Sequence, residues 1–147
     1  MSANELTLID AIDDIRERDR RYDRNAYVFV VAALGITVDA LPAERRTDPL
    51  RRHLGGRELL AGVVALAHRE FGAFAPTVFE EWGVTTNEDV GRIVFQLVRS
   101  GQLSARPEDS PEDFQGGADF MTCLRRTGAG RRSTGRKRSD GGGAPGA

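Results

Sequence analysis

Residues 80–103, EEWGVTTNEDVGRIVFQLVRSGQL, decide the fold, because one helix, a turn and a second helix follow each other there. Gly83 is typical of the residue that ends a helix, and Thr85 or Thr86 is typical of an N-terminal cap. Glu88 and Asp89 come next, where carboxylates complement the positive end of the helix dipole. The remaining helix carries one apolar stripe, formed by Val90, Ile93, Val94, Leu97 and Val98. The stretch is typical of the second half of a helix-turn-helix.

Two further helices are predicted upstream of this stretch. Residues 56–71 carry apolar side chains at helical spacing, and Gly72 stands at the expected C-terminal stop. A shorter helix, PTVFEEW, follows, with Pro76 in its first turn, where the missing N–H does no harm. The order of these elements predicts three helices between Gly56 and Gly101.

The N-terminal part is also predicted to be helical. From Glu5 to about Arg18, apolar residues form one stripe, as expected for a surface helix with one buried side. Asp23 and Asn25 have cap chemistry before AYVFVVAAL, a run that is apolar on every side. Its alanines and its length favour a buried helix over residues 26–38, although its valines and aromatics also fit a buried strand. The link LPAERRTDPLRRH is expected to interrupt any regular element.

Downstream of Gly101, two short extended pieces are expected, at Leu103 to Ala105 and at Phe114 to Phe120, on either side of an acidic, proline-rich loop. Three helices followed by a β-hairpin are the order of a winged helix. The sequence therefore predicts a mainly α fold: a single helical domain over residues 1–124, with a winged-helix-like part at 56–121.

Composition places the chain of 147 residues among globular proteins, with 39% hydrophobic and 29% charged residues. No apolar run approaches the roughly 18 residues of a membrane helix. The acidic N-terminus, MSANELTLIDAIDD, is unlike a signal peptide, and the single Cys123 fits a reducing compartment. We expect a cytoplasmic protein without membrane association.

The C-terminal residues 125–147 are basic and rich in glycine. They hold seven of the 21 basic residues and one acid, whereas residues 1–124 hold 14 bases and 21 acids. A segment without hydrophobic periodicity is predicted to be disordered. It is either a solubilising appendage or a non-specific contact for nucleic-acid phosphates. The residues that would make the contact are Arg125, Arg126, Arg131, Arg132, Arg136, Lys137 and Arg138.

Four stretches of the chain are distinctive: RERDRRYDRNAYVFVVAAL, RRHLGGRELLAG, EEWGVTTNEDVGRIVFQLVRSGQLS and DSPEDFQGGADF. In these stretches the chain resembles a small bacterial family of conserved hypothetical proteins from planctomycetes and verrucomicrobia. The resemblance covers about residues 6–121 and leaves the basic tail outside. Because the family has no established function, the resemblance implies a shared fold and supplies no catalytic residues. One departure is Gly55, which stands where a serine-type cap is expected.

Direct DNA reading by the helix after Gly83 is disfavoured by its charge. The first turn of a recognition helix lies among phosphates, yet this one carries Glu88 and Asp89. The later positions expected to be exposed add only Arg92, Gln96 and Arg99. The proposed wing has no Lys or Arg between its flanking arginines, so basic phosphate contacts are missing there.

Gly91 and Phe95 share one flank of the same helix, at 100° per residue. A glycine inside a helix costs about 1 kcal/mol relative to alanine, so it usually has a packing reason. One interpretation is close packing by another helix of the domain, such as AYVFVVAAL. The other is a groove for a partner helix or peptide, lined by Gly91, Phe95 and Trp82.

Enzyme signatures are weak. The sequence has no phosphate-binding glycine loop, no HExxH and no paired-cysteine metal spacing, so no cofactor or metal is expected. His68 is interpreted as a partly buried polar residue, Cys123 as incidental, and DSPEDF as a solvated acidic loop. His53, before GGRELL, is the better candidate for a polar role, and an enzyme would need it against a carboxylate in a pocket. We expect a non-enzymatic adaptor with an unidentified protein partner; the alternative is a nucleic-acid-associated regulator.

Overall fold

The computed structural model describes residues 3–106 and 109–126 and is mainly helical. Up to residue 99, the described part of the chain forms six α-helices: α1 (Ala3–Arg18), α2 (Arg24–Asp39), α3 (Ala43–Arg46), α4 (Gly56–Phe71), α5 (Ala75–Trp82) and α6 (Asn87–Arg99). Short 3₁₀ turns cover Gly72–Phe74 and Pro111–Phe114, and residues 120–126 are again helical. The predicted mainly α fold is confirmed.

The run after Asp23 is a helix, which settles the helix-or-strand alternative. Asp23 caps α2, since its side chain accepts a hydrogen bond from the Asn25 N–H at 2.8 Å. Full burial of this helix was wrongly expected, because Val28 and Ile36 are each 41% exposed. The opposite side of α2 packs against α4, α5 and α6, and it makes this helix the centre of the fold.

The link between α2 and α4 contains a short regular element that was not expected. Pro42 stands at the N-cap of α3, a position that tolerates its missing N–H. Arg45 on α3 reaches Glu58 on α4 with two hydrogen bonds, of 2.6 and 2.8 Å. The link is thereby tied to the first turn of α4.

The helix–turn–helix of the C-terminal half has the predicted caps. Gly83 ends α5 with a left-handed backbone (φ 84°), and a Cβ there would lie 2.5 Å from the Arg21 carbonyl oxygen. Thr86 caps α6, accepting from the Asp89 N–H at 3.0 Å, while the Asp89 carboxylate accepts from the Thr86 N–H. Local sequence chemistry therefore fixed the ends of both helices.

The predicted β-hairpin is not formed, since the described residues contain no strand. The Asp113 carboxylate accepts from the Ser110 N–H at 3.0 Å across Pro111, and the chain takes a 3₁₀ turn at Pro111–Phe114, where the second extended piece was expected to begin. Asp119 then caps the last helical segment by accepting from the Thr122 N–H at 3.0 Å. The winged-helix prediction is wrong in this detail, because the acids are caps rather than loop residues.

The hydrophobic core joins all these parts of the chain. Its largest fully buried side chains come from residues far apart in sequence: Tyr22, Tyr27, Phe79, Phe120, Ile12, Ile93, Leu97 and Leu124. Phe114 and Phe120, which were expected on strands, enter this core from a 3₁₀ turn and a helix. The segment after α6 thus belongs to the core although it has no strand.

Candidate functional site: a cleft bordered by His53 and Asp109

A cleft of about 500 Å³ opens between α2, α4, α6 and the chain that follows α6. Its walls are largely apolar and include Leu34, Val38, Leu59, Val94, Phe95, Val98, Leu103 and Phe114. Its polar rim includes Arg52, His53, Ser104, Asp109 and Asp113. An apolar floor with a few polar groups at the edge is the usual composition of a ligand or peptide site.

His53 and Asp109, the cleft pair, meet at this rim. The distance from His53 Nε2 to Asp109 Oδ2 is 2.6 Å, and the two side chains are 22% and 15% exposed. Asp109 also accepts from the Arg106 N–H at 2.7 Å, which fixes the orientation of its carboxylate. A pocket that brings His53 against a carboxylate was the condition for a catalytic role, and the structure meets it.

The position of His53 depends on Arg45. The Arg45 guanidinium donates to the His53 carbonyl oxygen at 3.1 Å while it holds Glu58. These bonds from Arg45 are the main reason that the pKa of Glu58 falls to about 2. Glu58 in turn accepts from the Gly55 N–H at 2.9 Å. Gly55 has no side chain to cap α4, so Glu58 supplies the carboxylate half of a capping box.

The Gly91 flank of α6 is filled by this chain itself. A Cβ on Gly91 would lie 3.0 Å from the ring of Phe114, and the Phe95 and Phe114 rings meet edge to face at 6.5 Å. The glycine therefore has a packing reason, with Phe114 as the neighbour rather than the AYVFVVAAL helix. A partner docking on Gly91 would have to displace Phe114.

Trp82 does not share that flank. Its ring packs against Phe79, Phe29 and Phe71, with centroid distances of 5.0, 5.6 and 5.8 Å. This aromatic cluster lies where α2, α4 and α5 meet, next to a separate groove. The structure therefore does not bring Trp82 together with Gly91 and Phe95, and partner binding by any of the three remains a prediction.

Two polar side chains of α6 face the protein interior. Gln96, expected on the exposed side, is only 8% exposed; it accepts from the Tyr27 hydroxyl at 2.6 Å and donates to Asp19 at 2.9 Å. Asn87 is 9% exposed. The expectation that Gln96 is exposed was wrong, because this position of α6 is buried against Tyr27 of α2. Neither side chain is presented for base reading.

A second polar group occupies the first turns of α6. Asp89 accepts from the Tyr22 hydroxyl at 2.6 Å and from Arg92 at 3.2 Å. Burial opposes ionisation of this carboxyl, but the hydrogen bonds from Tyr22, Thr85 and Thr86 prevail and keep its pKa below the ordinary value. Burial and the Asp89 contact raise the pKa of Tyr22 to about 12. We call these contacts, together with those of Gln96, the α6 network. Within it, Asp89 is hydrogen-bonded to residues of this chain.

The remaining predicted site residues lie elsewhere. His68 Nε2 is 3.0 Å from the Cys123 carbonyl oxygen, and both side chains are half-buried. Arg125 and Arg126 continue the helical segment, so the predicted disordered tail does not begin at Arg125. The distance from Arg125 Nη2 to Glu80 Oε2 is 3.9 Å. The other five tail bases, Arg131, Arg132, Arg136, Lys137 and Arg138, lie outside the described residues.

Sequence reasoning missed Asp109. The acids of DSPEDF were interpreted as a solvated loop, yet Asp109 pairs with His53, Asp113 caps a turn and Phe114 is buried. The capping pattern Ser-Pro-Glu-Asp was the available signal, since it predicts a compact turn that brings Asp109 back to the body. The described residues contain no cluster of His, Cys, Asp and Glu able to hold a metal ion.

No protein-family model, curated protein or solved structure matches the chain. The resemblance to the planctomycete and verrucomicrobial family therefore stays a prediction. Within the described part of the chain, no helix combines the length and apolarity needed to cross a membrane.

Proposed function

We propose that the protein is a non-enzymatic interaction module that binds a protein partner through the His53–Asp109 cleft. The observation that supports this is the cleft itself: about 500 Å³, largely apolar walls and a rim held by internal contacts. A pre-formed apolar site loses little conformational entropy when a partner side chain enters it. The expected occupant is a partner segment that inserts apolar side chains between α2 and α6.

Blocking the cleft without disturbing the core tests this proposal. Ser104 is exposed and lines the cleft, so Ser104→Arg places a long charged side chain at its mouth. Thr77 is exposed on α5, away from the cleft, and Thr77→Arg is the matched control. Affinity purification of the full chain should yield a stoichiometric protein with the wild type and the control, and lose it with Ser104→Arg. Equal recovery with both variants would contradict binding at this cleft.

The alternative is nucleic-acid association through the basic tail. Replacing its seven bases by glutamine in the full chain removes that charge and leaves the cleft intact. If this alternative holds, the wild type retains nucleic acid at low salt, loses it at high salt, and the neutral-tail variant retains none. A protein partner kept by the neutral-tail variant would instead favour the adaptor.

A small enzyme is the third candidate, favoured by the 2.6 Å distance between His53 Nε2 and Asp109 Oδ2. With Nε2 facing Asp109, His53 would use Nδ1 as a general base on a water molecule. Within the described residues, no serine, threonine or cysteine hydrogen-bonds to the His53 ring, which is why this role ranks third. Hydrolysis of p-nitrophenyl acetate should then fall roughly 100-fold in both His53→Gln and Asp109→Asn, but not in His68→Gln.

A further inference from the structure

The outer face of α2 is uncharged between its two ends. Arg24 begins the helix and Asp39 ends it, and no residue between them is acidic or basic. Four exposed residues at helical spacing form this face, which we call the α2 face: Val28, Ala32, Gly35 and Ile36. A helix surface that stays in contact with water usually carries charged or polar side chains. An exposed apolar face of this kind is typical of an interaction surface.

Gly35 has no packing reason within the described part of the chain. Outside its immediate neighbours and the backbone of α2, no described atom lies within 4 Å of the point where a Cβ on Gly35 would stand. Gly91 on α6, by contrast, has the Phe114 ring 3.0 Å from that point. Glycine destabilises a helix interior relative to alanine, so its position here favours the close approach of a helix from outside.

The α2 face is symmetric about Ala32. Val28 and Ile36 stand four residues before and four after it, and each is 41% exposed. Asn25 and Asp39 stand seven residues before and seven after it, and both are exposed. If two copies of α2 cross antiparallel at Ala32, Val28 of each lies beside Ile36 of the other, and Asn25 beside Asp39. The face is therefore complementary to a second copy of itself under a two-fold rotation.

The charges at the two ends of α2 favour the same antiparallel arrangement. Arg24 lies at the N-terminus and Asp39 at the C-terminus, so each has the sign that the dipole of its own helix disfavours. In an antiparallel pair, Arg24 of each copy lies near Asp39 and the C-terminus of the other. Each charge then meets an opposite charge and the favourable end of a dipole. A parallel pair would instead bring like charges together.

We propose that the protein forms a symmetric dimer in which the α2 faces of two copies pack antiparallel and cross at Ala32. Ile36 of each copy enters a groove of the other that Val28, Phe29 and Trp82 line. Because a single helix pair buries a small area, the dissociation constant should be on the order of 100 µM. The α2 face shares no residue with the His53–Asp109 cleft, so this dimer does not depend on what the cleft binds.

Sedimentation equilibrium of the full chain, from about 10 µM to about 1 mM, should show a reversible equilibrium between monomer and dimer. Ala32→Arg places two guanidinium groups against each other at the crossing point, and arginine is nearly as good a helix former as alanine. This variant should weaken the dimer at least about 30-fold. Thr77→Arg introduces the same side chain at an exposed position of α5 and should leave the dissociation constant unchanged.

Exchanging the end charges of α2 tests the antiparallel direction. Arg24→Glu and Asp39→Arg each bring like charges together, so each should weaken the dimer about five-fold, and the double variant should recover wild-type affinity. Arg24→Glu also removes the 2.8 Å pair with Asp13, but the double variant lacks that pair too, so the recovery reports the contact between copies.

Three results would overturn the dimer. The first is a wild type that stays monomeric at about 1 mM, which would mean that a different molecule covers the α2 face. The second is equal dimerisation of Ala32→Arg and Thr77→Arg. The third is a double charge variant that dimerises no better than the two single variants.

Discussion

The α6 network and the cleft pair are both built from polar side chains, but their surroundings differ. In the network, Tyr27, Gln96 and Asp19 bond to one another beneath the surface, and Gln96 is only 8% exposed. In the cleft pair, His53 Nε2 lies 2.6 Å from Asp109 Oδ2 at the edge of a cavity of about 500 Å³. The network joins α2 to α6, whereas the cleft pair lies where a cavity opens at the surface.

This difference separates stability from recognition. Removing a buried partner leaves another polar atom unpaired away from water, which costs about 1–3 kcal/mol. Removing one member of a pair at a cavity edge lets water replace it, so the cost to folding is small. Substitutions in the α6 network should therefore lower the free energy of unfolding more than substitutions in the cleft pair. Substitutions in the cleft pair should instead have the larger effect on partner binding.

The largest effect is expected at Phe114, the apolar floor that the cleft and the α6 flank share. Phe114→Ala should lower the free energy of unfolding by about 4 kcal/mol, because a ring that is 4% exposed leaves a cavity beside Gly91 and Phe95. Urea denaturation followed by circular dichroism measures the change. Glu112→Ala, exposed on the same 3₁₀ turn, is the control and should be nearly neutral. A loss below about 1 kcal/mol would mean that the turn is not part of the core.

The next effect belongs to the α6 network. Gln96→Ala should cost about 2–3 kcal/mol, because the Tyr27 hydroxyl loses its acceptor while it stays buried. Gln102→Ala, at the half-buried edge of the cleft, should cost well under 1 kcal/mol. Chemical denaturation of both variants gives the comparison. Equal losses would show that burial does not distinguish the network from the cleft.

Helix positions were predictable because their signals are local. Asp23, Gly83 and Thr86 each act within a few residues of the helix that they begin or end, and the structure has them in those roles. Apolar stripes gave the buried sides of α4 and α6 for the same reason. The β-hairpin prediction was wrong because the extended pieces were inferred from a few scattered hydrophobic residues. The stronger signal was the turn in which Asp113 accepts from the Ser110 N–H.

The candidate sites were much less predictable, because they depend on contacts between distant segments. His53 was identified as a residue with a polar role, but its carboxylate lies after α6, and nothing local links the two. Gln96 and Asn87 were judged by type alone, and a polar side chain on a helix is buried only when tertiary partners are available for it.

A smaller effect, dependent on pH, is expected at Asp89. Its pKa is lower in the folded state than in the unfolded chain, so its contribution is present above the ordinary aspartate pKa and is lost as pH falls through the folded value. Asp89→Asn should cost about 1–2 kcal/mol at neutral pH, and the difference from wild type should shrink at about pH 3. Denaturation curves at the two pH values measure this. Asp14→Asn, exposed on α1, should show no such convergence.

The smallest effect on stability is expected at the cleft pair itself. His53→Ala removes one 2.6 Å contact at a rim that water can reach, so the free energy of unfolding should fall by less than about 1 kcal/mol. The same variant should weaken binding of the partner that Ser104→Arg displaces, since it changes the surface of the cleft rather than the fold. His68→Ala, which removes a half-buried histidine ring outside the cleft, is the control for binding. If His53→Ala cost 2 kcal/mol or more, as Gln96→Ala is expected to, the cleft pair would be a structural contact like those of the α6 network.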